Sequence, residues 1–232
     1  EEKKPEEMDI MFLMDRFGYC KTIDMAAYER NKESAHAEFK YVVKCRNTGR
    51  ICIFTNTGQL HTIKVTDIPF GKFRDKGLPI DNISNYTSGT EEIINIASQS
   101  ELNLYRLLFV TRQGMCKIVS GGEFDVSKRT VASTKLGDGD ELVDIEVVTK
   151  HQHIILQSKD GYFLRFDADE ISELKKTAIG VRGMKLGNND YIENVYYCQP
   201  GEDGSIPYKD KNIPLNKLKL NKRDAKGTKI RV

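Results

Sequence analysis

The sequence predicts an all-β fold, a ring of about five blades with four strands in each, and three observations carry that prediction. The first is a hairpin. The apolar run Ile154-Ile155-Leu156 leads to Asp160-Gly161, and the chain returns through Tyr162-Phe163-Leu164-Arg165-Phe166. Asp-Gly between two β-prone runs favours a type I′ turn, in which both central residues take positive φ. The second is recurrence. Gly18, Gly58, Gly114 and Gly161 each follow an apolar run (MFLM, ICIF, LLFV and IIL). At +10 come Tyr28, Ile68, Phe124 and Ile171, and at +14 come Lys32, Lys72, Lys128 and Lys175. The third is period: these glycines lie 40, 56 and 47 residues apart, the length of a propeller-type blade and too long for a leucine-rich or hexapeptide solenoid. Helical periodicity is nearly absent outside Asp24 to Ser34, and short strands with glycine turns at regular spacing point to blades.

Residues 1–7, EEKKPEE, are charged, carry a proline and have no apolar partner, and read as a linker. The blades follow at roughly 8–44, 50–100, 105–148, 153–198 and 205–232, within a single domain, 8–232. The first turns at Phe17-Gly18, and its late loop, Arg30 to His36, has Glu33 and no glycine. The second turns at Thr57-Gly58; its late loop GKFRDKG, Gly71 to Gly77, is followed by Pro79 and a strand-like Ile80 to Ser84. Ile93-Ile94-Asn95-Ile96 adds a strand between polar connectors, which accounts for the longest spacing. The third turns at Gln113-Gly114, has the loop Ser127 to Lys135, and enters the alternating strand Val143 to Val148 through a tight turn at Leu136 to Leu142. Leu186 to Asp190 copies that turn in the fourth. The fifth lacks an anchoring glycine near Tyr208 to Asn212 but keeps Leu218 and Lys222 in register, so the ring there is either closed or an open spiral.

Of the 232 residues, 39 % are apolar and 30 % charged, with a net charge of only +2. No bulk electrostatic argument for nucleic acid follows, so any such argument rests on where the charges lie. Five cysteines, an odd number without a C-x-x-C pair, fit a reducing cytosol, and Cys20 and Cys116, at one repeat position, are expected to be buried. No apolar run approaches a membrane span and no signal peptide is visible, so a cytoplasmic protein is expected.

No G-x-S-x-G, Walker A loop or Rossmann fingerprint appears. His36, His61, His151 and His153 have no cysteine or carboxylate at ligand spacing, so no catalytic residue, metal or cofactor is expected in this chain. His151 and His153 alternate at a strand start, in position to face solvent. The basic loops are the stronger signal. Lys32, Lys72, Lys128, Lys175 and Lys222 occupy one repeat position, with Arg74, Lys76, Arg129, Lys135, Lys176, Arg182, Arg223 and Lys226 close by. Equivalent positions in successive blades lie around one rim, where such cations would form a band that tracks a phosphate backbone without reading bases. Glycines among them (Gly71, Gly77, Gly180, Gly183, Gly227) admit close backbone approach and N–H donation to phosphates. Spacing alone supports equally a solvated lysine face on a protein-interaction propeller.

Four stretches add a resemblance: MDRFGYCKTIDMAAYERN; ICIFTNTGQLHTIKVTDIP with GLPIDNI; LLFVTRQGMCK with KLGDGDELVDIEV; and GYFLRF with GVRGMKLGNND. Together they resemble the C-terminal β-pinwheel domain of the A subunit of bacterial type IIA topoisomerases, DNA gyrase and topoisomerase IV, over nearly all of 8–232. The resemblance implies four-stranded blades that exchange strands with their neighbours and a basic outer rim that bends or wraps duplex DNA. It implies a catalytic tyrosine upstream of this chain, with ATP and Mg2+ serving other parts of the enzyme. The implied partners are duplex DNA, the homodimeric remainder of the A subunit, and the ATPase B subunit in an A2B2 enzyme, with no membrane and a nucleoid-associated location. Gyrase carries a Gln-Arg-Arg-Gly-Gly-Lys-Gly box in its first blade. The matching stretch here, RNKESAHAE at 30–38, has neither paired arginines nor glycines, so the chain resembles topoisomerase IV more. The alternative is the wrapping domain of a gyrase A subunit with a degenerate box.

Overall fold

The computed structural model describes residues 2–232; Glu1, the first residue of the expected linker, lies outside the described residues. By its internal contacts the chain forms two compact units. One comprises the residues up to Leu104 together with Gly121–Ser133, the other Tyr105–Ser120 with Thr134–Val232.

Each unit contains two four-stranded antiparallel sheets. In the first unit, the first sheet runs Tyr41–Arg46, Asp9–Met14, Tyr19–Asp24, Leu78–Pro79, and the second Thr130–Ala132, Gln59–Lys64, Arg50–Thr55, Ile93–Ser98. In the other unit, the third sheet runs Leu142–Val147, Arg106–Thr111, Met115–Ser120, Val181–Arg182, and the fourth Ile192–Cys198, His153–Ser158, Tyr162–Asp167, Thr228–Lys229. The fifth repeat contributes a two-stranded hairpin, Ser205–Tyr208 with Lys211–Pro214. In Asp9–Met14, Arg50–Thr55, Arg106–Thr111 and His153–Ser158 at least five consecutive residues are buried. Both faces of these strands are therefore covered, which is why they read as continuous apolar runs instead of alternating.

All four sheet hairpins close in the same way. The N–H groups of Gly18, Gly58, Gly114 and Gly161 donate to the carbonyls of Asp15, Thr55, Thr111 and Ser158 at 3.0–3.2 Å. The four glycines have φ of +89°, +77°, +84° and +86°. Asp160 is outside the left-handed region, so the expected type I′ turn is corrected to a three-residue loop in which the glycine alone is left-handed. The longer loop spares the residues before the glycine that strain. The residue opening the loop also pins the strand that follows: Asp15 Oδ1, Thr111 Oγ1 and Ser158 Oγ accept from the N–H of Tyr19, Met115 and Tyr162 at 3.0–3.2 Å.

The fourth strand of every sheet comes from the following repeat. Leu78–Pro79 pairs with Tyr19 and Cys20, Thr130–Ala132 with Gln59 to His61, Val181–Arg182 with Met115 and Cys116, and Thr228–Lys229 with Tyr162 and Phe163. Each donated segment is latched at its end, where Ile80, Ser133, Gly183 and Ile230 donate their N–H to the carbonyls of Gly18, Gly58, Gly114 and Gly161 at 2.7–2.9 Å. This is the strand exchange that the resemblance implied.

Two local expectations are corrected. Ile80–Ile83 is a helical turn and no strand, because Ile80 is buried with its N–H already spent on Gly18 and the Ser84 hydroxyl donates back to its carbonyl at 2.7 Å. The late loop of the first repeat is two short helices, Met25–Arg30 and Lys32–Glu38, extending the helical pattern that Asp24 to Ser34 showed. The Asp24 carboxylate caps the first by accepting from Ala27 N–H at 2.6 Å, and Ala27, Tyr28 and Ala35 pack on Leu13 and Ile23. Lys32 is therefore helical, with its ammonium 6.0 Å from the Tyr28 ring, and does not share the loop setting of its sequence counterparts. No helix among the described residues is long and apolar enough to cross a membrane.

Close approach fixes a second set of glycines, those just before the donated strands. Gly180, at φ +118°, would carry its Cβ to 2.6 Å from the Cys116 carbonyl oxygen; Gly187 has open space around it and no positive φ. Gly180→Ala is expected to destabilise the chain by about 2 kcal/mol or more, lowering Tm by roughly 5 °C. Gly187→Ala is expected to leave Tm within about 1 °C, as for surface changes generally. Differential scanning calorimetry of the two variants checks the pair.

Candidate nucleic-acid interface

The basic loops precede the donated strands and so lie at the sheet edge that those strands close. Three have the same length and ending. Residues 71–77, 174–180 and 221–227 each follow a residue bridged in parallel to the hairpin's second strand (Phe70 to Thr22, Glu173 to Ile118, Leu220 to Arg165). Each ends at a left-handed glycine, Gly77, Gly180 or Gly227, whose Cβ would collide with the carbonyl of Cys20, Cys116 or Phe163. In the second sheet Thr130 stands in place of that glycine, and the Thr62 N–H and hydroxyl hold the carbonyls of Arg129 and Lys128 at 2.9 and 2.8 Å.

Beneath these loops sit buried cations, residues that sequence reasoning missed. Lys21, 4 % exposed, donates to the carbonyls of Phe73 and Asp75 and lies over the rings of Phe39 and Phe73. Lys117, 1 % exposed, donates to the carbonyls of Lys175, Lys176 and Ala178 at 3.3, 3.0 and 2.6 Å. Both lie three residues after a hairpin glycine. In the fourth sheet the cation is one residue later. Arg165 donates through Nη1 to the carbonyls of Leu215 and Leu218 at 3.1 and 3.3 Å and through Nε to His153 Nδ1 at 3.0 Å. The second sheet has His61 instead, between Thr130 Oγ1 at 2.9 Å and the Glu91 carboxylate at 3.0 Å. A signal was present: Cys20-Lys21 and Cys116-Lys117 repeat a lysine at one register inside apolar strands, and Arg165 interrupts Tyr162 to Phe166.

Of the residues singled out by sequence, Lys72, Arg74, Lys76, Lys128, Arg129, Lys135, Lys175, Arg182, Lys222 and Lys226 are exposed, and Lys176 and Arg223 are half-buried. Two arginines are committed to intramolecular partners. Arg182 forms a bidentate pair with Asp224 at 2.5 and 3.1 Å, and this hydrogen bonding holds the Asp224 carboxyl below its ordinary range. Arg223 donates to the carbonyls of Glu170 and Arg182 at 3.0 and 2.6 Å.

Within each unit the loops join. In the unit containing the third and fourth sheets, Lys135 N–H donates to the Lys176 carbonyl at 3.2 Å, and residues 183–185 run beside 224–225 through Asp224 N–H to Gly183 and Lys185 N–H to Ala225. Lys135, Lys175, Lys176, Arg182, Arg223 and Lys226 thus lie along one connected edge. In the other unit Arg129 reaches the Ile83 carbonyl at 3.4 Å, and Asn85 donates to Thr130 Oγ1 at 3.0 Å. There Arg50, Lys64 and Arg129 line an open cleft with Thr62, Ser127 and a single acid, Asp67. Arg50 and Lys64 escaped the sequence reading because they lie on strands rather than in the repeating loops. His153, expected toward solvent, is 6 % exposed because its ring accepts from Arg165.

Hairpin-built sheets, each closed by a strand from the next repeat and edged by cationic loops, define a propeller-class domain. Comparison with known proteins is specific. The family described as "DNA gyrase C-terminal domain, beta-propeller" matches residues 49–100, 105–149 and 152–199, and the chain belongs to this family. It is 27 % identical over 208 residues to the gyrase A protein of Lawsonia intracellularis, a match covering 84 % of this chain and 25 % of that protein. Against the gyrase A protein of Helicobacter pylori 26695 the figures are 29 % over 187 residues, covering 75 % and 23 %. The chain therefore spans about a quarter of the length of these curated relatives. The fold matches the C-terminal domain of DNA topoisomerase IV with a TM-score of 0.83 at 24 % identity, over 98 % of this chain and 74 % of that one. It matches the E. coli ParC C-terminal domain with a TM-score of 0.75 at 15 % identity, over 96 % and 94 %.

The Arg165–His153 contact has a pH signature. Burial, reinforced by the Arg165 charge, holds His153 below its ordinary value of 6.5, so the unfolded chain takes up this proton first. The contribution is complete above 6.5 and is lost as pH falls from there toward the lower folded value. His153→Gln, which keeps an acceptor for Arg165, is expected to remove this loss, so that the parent's Tm falls more than the variant's between about pH 7 and 5.5. Parallel melting curves check it.

Proposed function

We propose that this chain is a non-catalytic domain that binds and bends duplex DNA within the A subunit of a type II topoisomerase. The observation that carries the reading is the repeated construction of the sheet edge. Three seven-residue loops of one design present exposed cations, while loop carbonyls are drawn onto buried Lys21 and Lys117. An edge of this kind suits a phosphate backbone and has no need of base-reading geometry. The enzyme's other subunits, its ATP and Mg2+ and its catalytic tyrosine belong, on this reading, to parts outside the chain.

Within the family, the first repeat favours a topoisomerase IV-like activity. Where a further basic loop would lie, helices Met25–Arg30 and Lys32–Glu38 set Arg30 and Lys32 against Glu29, Glu33 and Glu38. Phosphates held at the remaining edges without that one support a bend rather than a complete wrap, and hence an enzyme that relaxes and decatenates but supercoils poorly. A gyrase-type reading has its own support. The stretch Asn221-Lys222-Arg223-Asp224-Ala225-Lys226-Gly227 repeats the paired cations, lysine and terminal glycine of the gyrase box, in the last loop instead of the first. ATP-dependent supercoiling of relaxed plasmid by the reconstituted enzyme separates the two: strong supercoiling lost on deleting this domain establishes the gyrase type.

Random-sequence duplex is expected to bind with log K falling against log salt at a slope of about −4 to −5, for about five phosphates neutralised. Replacing Lys72, Lys128, Lys175 and Lys222 by Ala is expected to flatten the slope by about 3–4 and weaken all sequences alike. Asp224→Asn tolerates the left-handed φ of +66° and releases Arg182, so the slope should steepen by up to about 1. A salt-independent affinity, or weakening confined to one sequence, overturns the reading.

A further inference from the structure

Lys21 and Lys117 pose an energetic question. Taking an ammonium out of water is costly, and an apolar side chain of similar length fills such a space without that cost. Yet a lysine sits at the same register of two sheets, one in each unit, 4 % and 1 % exposed. Each spends its donors on main-chain carbonyls of one basic loop: Phe73 and Asp75 for Lys21, and Lys175, Lys176 and Ala178 for Lys117.

The direction of those carbonyls matters for an anion outside. A trans peptide points its C=O and N–H opposite ways. Drawing the 175, 176 and 178 carbonyls onto an internal cation therefore turns the N–H groups of Lys176, Thr177 and Ile179 away from it. The same holds for Arg74 and Lys76 in the other loop. In each unit taken by itself, the negative ends of the loop dipoles are withdrawn from the loop's outer side, where Lys72, Arg74 and Lys76 are exposed in one loop and Lys175 in the other, and outward main-chain N–H groups favour an anion. The left-handed glycines Gly77 and Gly180, packed on the carbonyls of the cysteines preceding these lysines, hold the loop ends down beside them.

We infer that Lys21 and Lys117 are positioning residues for duplex binding: from inside the sheet each orients the main chain of the phosphate-binding loop above it without touching DNA. This rests on the proposed DNA-binding function, and a double-mutant cycle separates the two. The 232-residue chain, its Lys117→Met variant, the Lys175→Ala/Lys176→Ala variant and the triple variant are titrated with a fluorescent random-sequence duplex over a range of salt. Ile118→Val serves as a core comparator on the same strand.

Lys117→Met is expected to weaken binding about tenfold and to flatten the salt slope by about 2, matching Lys175→Ala/Lys176→Ala although residue 117 cannot reach a phosphate. The triple variant should be no weaker than the double, and Ile118→Val should leave the slope unchanged. Unaltered binding by Lys117→Met, or an independent further loss in the triple variant, overturns the positioning role while DNA binding stands. No effect of Lys175→Ala/Lys176→Ala removes the DNA-binding role of this loop, and the inference with it. If Lys117→Met does not fold, Lys21→Met in the Lys72→Ala/Arg74→Ala background carries the same cycle. If neither lysine variant folds, both are core requirements and the inference is wrong.

Discussion

A hydrogen bond to the carbonyl of each hairpin glycine governs where everything functional lies. Gly18, Gly58, Gly114 and Gly161 accept from the segment that arrives from the next repeat, and that bond fixes where the donated strand ends. The donated strand fixes the loop before it, and the loop fixes its cations at the sheet edge. Without the donation, the second strand of each hairpin would be an open edge with unpaired main-chain groups, a site for misassociation. One left-handed residue therefore serves turn, sheet closure and loop placement together.

The small net charge of +2 conceals a division of labour among cations. Some are internal and bind main-chain carbonyls, as Lys21, Lys117 and Arg165 do. Others are neutralised at the surface, as Arg182 is by Asp224. A third group, Lys72, Arg74, Lys76, Lys175, Lys222 and Lys226, is exposed in loops of one design. In low-dielectric surroundings the first group is costly unless well hydrogen-bonded, and its members find two or three acceptors each. Repetition of that arrangement in both units argues for a cause beyond the packing of a single site.

The fold was legible because its determinants are local and periodic. Apolar runs two faces deep, glycines forced to positive φ and the 40–56 residue spacing all survive in a bare sequence. The three-residue turn was misread because Asp160-Gly161 looks alike in loops of two and three residues, and the difference lies in the register of Ser158 against Tyr162. The exposed lysines of the loops were legible from repeat position. Lys21 and Lys117 were not, because a lysine in a strand reads as solvent-facing until the loop carbonyls that receive it are placed by residues more than fifty positions away. The pairing of Arg182 with Asp224, 42 positions apart, was hidden for the same reason, since both sit in stretches that look uniformly basic. In the first repeat, the +14 lysine opens a second short helix, Lys32–Glu38, which buries Ala35 against Leu13 and Ile23.

Amine reactivity read residue by residue tests the cationic edge most directly. The chain is labelled with a lysine-specific reagent with and without random-sequence duplex, and each lysine is quantified by mass spectrometry. Protection should fall on Lys72, Lys76, Lys128, Lys175, Lys222 and Lys226, at the edges closed by donated strands. Lys44, on the opposite edge strand of the first sheet, and Lys150, beyond the opposite edge strand of the third, should react equally in both samples. Protection of Lys44 and Lys150 with the loop lysines unaffected would contradict the assignment of the DNA-facing surface.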